Sequence, residues 1–327
     1  MLPQLERQFL QANLAQANAL LNDCSPADDP IGHHQYSQLV EEMEQKLAAM
    51  PRLIEQAPAG VALFFGGRPV IGSQGIQASF SGRAIEKFQK IVSQRFAAQE
   101  TGPLGQRGRL PMKDNTHMLV TDIVRGSFGF VLQSALTETS DEQLDTSLKS
   151  VVDQVADTIS RVAAQDEAMF DEAVAEIDDR QKSALTDFFK LLNSEGATLR
   201  LVEGERDFEL DQAAIERAKE RVEALQISEE TEEISGQIVG WGDISGRFEL
   251  KRHDNKQAIL GAVSREAFKR IQIENPEPYH KHFLARIEVR RIAARNRQPK
   301  IAYTLLGLEP ADEPSDWPVQ AIQQVIR

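Results

Sequence analysis

Gln237-Ile238-Val239-Gly240-Trp241, Arg247-Phe248-Glu249-Leu250-Lys251 and Ala258-Ile259-Leu260-Gly261-Ala262-Val263 follow one another, with Asp254-Asn255 between the last two. Short apolar runs broken by glycine and an Asx turn predict three meandering strands. Arg265 to Ile271 then reads as a short helix, and Phe283 to Ile292 and Lys300 to Leu308 predict two more strands. Along the first of these, Phe283, Ala285, Ile287 and Val289 alternate with Leu284, Arg286, Glu288 and Arg290, which puts the charges on the face away from the core. The block is also electrically distinct. Residues 236–308 hold 14 Lys and Arg against 7 Asp and Glu, a net +7 in a chain of net −13, so the remainder is near −20.

Three strands, a helix and two strands in that order resemble an OB-fold. The resemblance implies a small five-stranded barrel, and barrels of this kind often bind nucleic acid. On that reading Arg286, Arg290, Arg291, Arg295, Arg297 and Lys300 would contact phosphate oxygens, since clustered guanidinium groups suit them. Trp241, Phe248, His282 or Tyr303 would offer a stacking face, although Phe248 and Tyr303 fall at positions expected in the core. The plainer alternative is a solvated basic rim, or one docked on the acidic remainder of the same chain.

Working outward toward the N-terminus, Glu229-Glu230-Thr231-Glu232-Glu233 reads as a solvated junction. Before it, Thr198 to Glu203 and Asp207 to Leu210 predict two strands joined at Gly204, followed by a charged helix from Asp211 to Leu225. Residues 139–193 contain no Gly and no Pro, and Ser140-Asp141-Glu142-Gln143 forms a capping-box pattern at their start. Leu144, Leu148, Val151, Val155, Ile159 and Val162 then recur at heptad spacing. A second run, Phe170, Val174, Ile177, Leu185, Phe188 and Leu192, keeps the phase if Gln181 fills the missing position. A hairpin turning near Ala163 to Glu167 would bury both runs together; a coiled coil between copies is the alternative, with Leu144 to Val162 as the oligomerisation seam.

Val61 to Phe65, Met118 to Val124 and Phe128 to Leu132 predict strands of a small sheet. An amphipathic helix bearing Phe80, Ile85, Phe88, Ile91, Val92 and Phe96 lies between the first two. Two helices are expected over residues 3–57, with a loop from Asp23 to Pro30 and Pro51 kinking or ending the second.

Composition excludes several classes. Cys24 is the only cysteine, so no intrachain disulfide forms and a secreted disulfide scaffold is ruled out. No apolar run approaches the ~20 residues needed to cross a bilayer, so a cytoplasmic protein without a membrane partner is expected. A pI near 5.1 opposes indiscriminate binding of polyanions. Gly66-Gly67, Gly72, Gly75 and Gly82 lack the lysine of a phosphate loop and the spacing of a dinucleotide fingerprint. Gly126-Ser127-Phe128-Gly129-Phe130 lacks the spacing of a nucleophile elbow. His280 and His282 could share a strand face, with His253 or Glu277 as a third ligand, but no complete metal set emerges, and His33-His34 would point apart. Asp171, Glu172, Glu176, Asp178 and Asp179 read as the solvated face of a helix. No catalytic residue, metal or cofactor is therefore assigned.

The expected fold is α+β: N-terminal helices with a small sheet, a central long helical hairpin and a C-terminal five-stranded OB-like barrel. The expected spans are 1–135, 136–195, 196–233 for a strand pair and connecting helix, 234–310 for the barrel, and 311–327 for a tail with a short helix. The texture, including Gly126 to Phe130, resembles that of uncharacterised bacterial accessory proteins. That resemblance suggests a non-enzymatic binding or assembly component of a cytoplasmic bacterial complex, a homo-oligomer associating through its central helices. The rivals are a nucleic-acid-binding protein using the barrel rim and an enzyme with a site around Gly72 to Gly82 and Arg125 to Phe130.

Overall fold

The computed structural model of the protein describes residues 2–312 apart from 57, 103, 105–107, 125–127, 136–141, 205, 244 and 294–298, and for 51–56 and 142–144 the backbone alone. The chain divides into two compact units, each assembled from three stretches. The first comprises Met1–Phe96, Met112–Ala173 and Ala184–Val222; the second comprises Ala97–Pro111, Val174–Ser183 and Glu223–Arg327. The class is α+β, as the sequence predicts.

Along the chain, α1 (Pro3–Asp23) and α2 (Pro30–Gln56) pack on each other. The second continues through Pro51 to Gln56. Strand β1 (Gly60–Gly67) leads to a tight hairpin of β2 (Val70–Ile71) and β3 (Gly75–Ile76), then to α3 (Ala78–Thr101), β4 (Met118–Val124) and β5 (Phe128–Ser134). Three helices follow, α4 (Glu142–Ala163), α5 (Glu167–Ala175) and α6 (Asp179–Glu195), and then β6 (Ala197–Glu203), β7 (Arg206–Leu210) and α7 (Gln212–Ala224).

The sheet of the first unit runs β4-β5-β1-β6-β7, every neighbouring pair antiparallel. Its central strand is β1, whose continuous apolar run Val61 to Phe65 is buried, as befits a strand covered on both faces. Ala62 and Phe64 meet Leu2 and Leu5 on one face together with Val131 and Val202. Phe65 meets Phe80 of α3 edge-on at 5.3 Å, and Phe130 at 6.3 Å. Gly129 sits opposite Phe64 in the β1–β5 ladder, and a Cβ there would run into the Phe64 ring. The second glycine of the Gly126 to Phe130 motif thus serves close packing. The strands at 197–210 join this sheet rather than forming a separate segment, because β6 pairs along β1.

The heptad seam predicted over 144–162 is used inside the chain. Leu148, Val151, Val155, Ile159 and Val162 are buried at 2% exposure or less, and α4 lies against β1, β6 and β7. Leu144 lies in α4 but its side chain is outside the described residues, as is the Ser140-Asp141 start of the capping box. At the other end, the α4 carbonyls are capped from α7. Arg217 donates to the Ala163 carbonyl at 3.0 and 2.7 Å, and Arg221 donates to those of Val162 and Ala164 at 3.3 and 2.5 Å. Cations at a helix C-terminus complement its dipole. The chain turns at 164–166, where the hairpin turn is expected, and the second seam breaks into α5 and α6. Asp178 accepts from the Gln181 backbone N–H at 2.6 Å as α6 begins, and Gln181 is buried in the phase position left for it.

In the second unit β8 (Gln226–Gly242), β9 (Arg247–Arg252), β10 (Ala258–Val263), α8 (Arg265–Glu274), β11 (His282–Ala293) and β12 (Lys300–Pro310) build a closed barrel in the order β10-β12-β11-β8-β9. All pairs are antiparallel except β10 with β12. Strand one beside two and four, three beside five in parallel, and a helix between three and four is the OB arrangement. Ile234, Ile238, Phe248, Leu250, Phe283 and Ile287 belong to its core, with Ala267 and Ile271 of α8 packed into it. Ser264 caps α8 by accepting from the Ala267 N–H at 3.2 Å. The tail from 313 onward is outside the described residues.

Strand β8 begins ten residues before the basic block and carries the acidic run Glu229 to Glu233 within it. That run is part of the barrel wall, whereas the sequence suggests a solvated junction ending at 233.

Candidate functional site

The β8–β11 ladder decides what the basic rim can do. In register, Arg290 lies opposite Glu229, Val289 opposite Glu230, Ile287 opposite Glu232 and Arg286 opposite Glu233. Arg290 donates to Glu229 at 3.1 Å and to Glu288 at 3.3 Å. Arg291 donates to Glu230 at 2.6 Å and to Glu232 at 3.1 Å. Counted over the observed barrel, 226–310, the charges are 14 basic against 12 acidic, a net +2 in place of +7. Arg286 and Lys300 are exposed, while Arg295 and Arg297 lie outside the described residues. Trp241 is half-buried: its ring stacks on Phe268 at 5.8 Å with the planes 4° apart, and its Nε1–H donates to Asp243 at 2.8 Å. One face of the indole is therefore taken by α8.

Beneath Arg290 the site is more unusual. Glu288 and Asp178 are 7% and 3% exposed, and the Glu229 side chain 11%. The Asp179 N–H donates to Glu229 at 3.4 Å, which brings the start of α6 over the outer face of β8 and β11. Asp178 is thus enclosed in this cluster, away from the solvated helix face expected of it. Burial pushes the Glu288 carboxyl up to about 7 against the pull of Arg290, with Glu229 and Asp178 adding to the rise. Burial raises Glu229 as well, again opposed by Arg290. Burial therefore leaves the Glu288 carboxyl partly protonated near neutral pH, and the neighbouring carboxylates Glu229 and Asp178 add a smaller push in the same direction. Among the described residues no group of three or more His, Cys, Asp and Glu could hold a metal ion.

The histidines pair differently from expectation. His282 Nδ1 lies 2.8 Å from His253 Nε2, and His253 Nδ1 lies 2.8 Å from Ser235 Oγ. His280 adopts a left-handed backbone at φ 61° and sets its ring 3.8 Å from that of Tyr279. The left-handed residue ends the extended conformation, so β11 starts only at His282 and the two side chains do not share a strand face.

A second surface has no counterpart in the sequence reading. Strand β4 is one edge of the five-stranded sheet, and Leu119, Val120 and Ile123 on it are 55%, 47% and 54% exposed. The opposite edge, β7, carries Arg206, Asp207 and Glu209, the charges that usually blunt an edge strand. Within β4 the only charge is Asp122. Met118 to Val124 reads in sequence as a strand of a small sheet, and the structure places it at the edge with these side chains exposed. In the glycine-rich stretch, Gly72 takes a left-handed turn at φ 51° between β2 and β3; Arg125 to Ser127, the other half of the enzyme reading, lie outside the described residues.

Comparison of the chain with protein-family models, with curated proteins and with solved structures found no match. Among the described residues no helix is long and apolar enough to cross a membrane.

Proposed function

We propose that this protein is an assembly component of a cytoplasmic bacterial complex that self-associates through the β4 edge, a second copy pairing antiparallel about Thr121. The carrying observation is the contrast between the two sheet edges, one charged and one apolar and exposed. Strand β4 is self-complementary at its two ends. Antiparallel pairing centred on Thr121 sets Leu119 against Ile123 and Met118 against Val124 of the second copy, covering four apolar positions, while Val120 faces Asp122 beside the bulge at Thr121. The central seam is unsuited to that role, since Leu148 to Val162 already fill the first unit's core. The nucleic-acid reading has less support: Arg290 and Arg291 are engaged by carboxylates of β8, and phosphate binding depends on several available cations.

Sedimentation equilibrium tests the proposal. At about 100 μM the full chain should sediment as a dimer, and the Leu119→Lys/Ile123→Lys variant, with an unchanged circular dichroism spectrum, as a monomer. A wild-type monomer at that concentration, or a variant that dimerises equally, sinks it.

A further inference from the structure

A cleft of about 410 Å³ opens on the first unit, lined by side chains of three helices: Lys87 of α3, Asp187, Lys190, Asn193 and Ser194 of α6, and Lys219 of α7. Among the described residues lining it, Asp187 is the only carboxylate. Asp187 is itself shared, with Lys90 at 3.2 Å and Lys87 at 3.8 Å. The lining thus carries three ammonium groups against one carboxylate, in a chain whose net charge is −13. Such a concentration of one sign runs against the rest of the molecule.

We propose that this cleft binds a small polyvalent oxyanion through its phosphate groups. Lysine meets phosphate as a strongly hydrated point charge on a flexible stem, so ammonium groups arriving from three separate helices suit an anion whose charge is spread over several oxygens. Lys87 has the longer of the two contacts to Asp187, so it can swing to the anion while Lys90 keeps the aspartate neutralised. The Asn193 amide adds a neutral donor, and the volume falls in the range of small-ligand sites. The cleft is open, so the anion's remaining groups stay in water. Free polyphosphate and the phosphate tail of a nucleotide therefore present the same recognisable chemistry.

Isothermal titration of the full chain with magnesium-free tripolyphosphate, and separately with ATP, tests this. Saturable binding at millimolar or tighter concentration in about 50 mM salt is expected, weakening several-fold at about 300 mM. The Lys190→Glu/Lys219→Glu variant should lose at least about tenfold in affinity, whereas Arg286→Glu on the barrel should bind like wild type. Equal affinity for the two ligands assigns the site to phosphate alone, and tighter ATP binding adds contact with the nucleoside. Absence of saturation by either ligand up to about 10 mM overturns the proposal, as does undiminished binding by the lysine variant. Thermal melts of each variant verify that loss of binding is not loss of fold, and Lys190→Gln/Lys219→Gln, which introduces no new charge, repeats the test should the glutamates unfold the unit.

Discussion

Replacing Glu288 by glutamine isolates the cost of the buried acid cluster. The carboxyl titrates near 7 in the folded barrel against an ordinary value of 4.5. An acid whose folded value is raised holds its proton more tightly in the native state. Its contribution to stability is complete below pH 4.5 and is lost as pH rises toward 7 and beyond. Linkage arithmetic over that interval gives a loss of about 2 kcal/mol between about pH 5.5 and 8, a window that stays clear of the isoelectric point. Glu288→Gln keeps the shape of the side chain and removes the titration, while Glu229 remains to pair Arg290 at 3.1 Å. Urea unfolding followed by circular dichroism at about pH 5.5, 7 and 8 should show the variant near wild type at the acid end. At the alkaline end it should be more stable by about 1–2 kcal/mol. Comparing the variant with wild type cancels the titrating groups remote from the Arg290 cluster. Parallel curves for the two proteins across the range would refute the reasoning.

In the first unit, burial raises Glu203 to about 7 as well, opposed by Lys149, and among the described residues its Oε2 atom accepts no hydrogen bond, with Arg206 3.7 Å away. Glu203→Gln should therefore stabilise at about pH 8 and leave stability near about pH 5.5 unchanged, read from melting temperatures at the two values. Gly129→Ala should destabilise by about 1–3 kcal/mol, because the new methyl meets the Phe64 ring in the core shared with Leu2 and Leu5. Chemical denaturation reads that loss, and Phe64→Leu in the same chain should return part of it; no recovery would count against the packing argument. Arg290→Ala should cost about 3 kcal/mol or more at about pH 8, by leaving Glu229 and Glu288 buried without their cation, and less in acid, where they protonate. A loss independent of pH would remove the electrostatic explanation.

Element types were largely legible in the amino-acid order. Period-two alternation at 283–290 marks a half-buried strand, the Val61 to Phe65 run marks a central one, and the spacing of Leu148 to Val162 marks a helix with one buried face. These signals are local, since a side chain's direction follows from the turn or pleat that carries it. The order of strands around the α8 segment was enough to anticipate the barrel. Glu229 to Glu233 gave no such signal. Four glutamates around one threonine carry no alternation, and their place in β8 comes from pairing with β11.

What the sequence by itself determined is the set of helices and strands and the face each turns to a core. Tertiary structure alone decided which partners those faces meet, because strand pairing is a long-range choice that no local period encodes. Register sets Arg290 against Glu229 across 61 residues of chain, and so turns a basic rim into a nearly neutral wall over a buried carboxyl, Glu288, whose pKa burial raises. The same choice of neighbours places β1 at the centre of its sheet and β4 at the edge, so that two largely apolar strands end respectively buried and exposed.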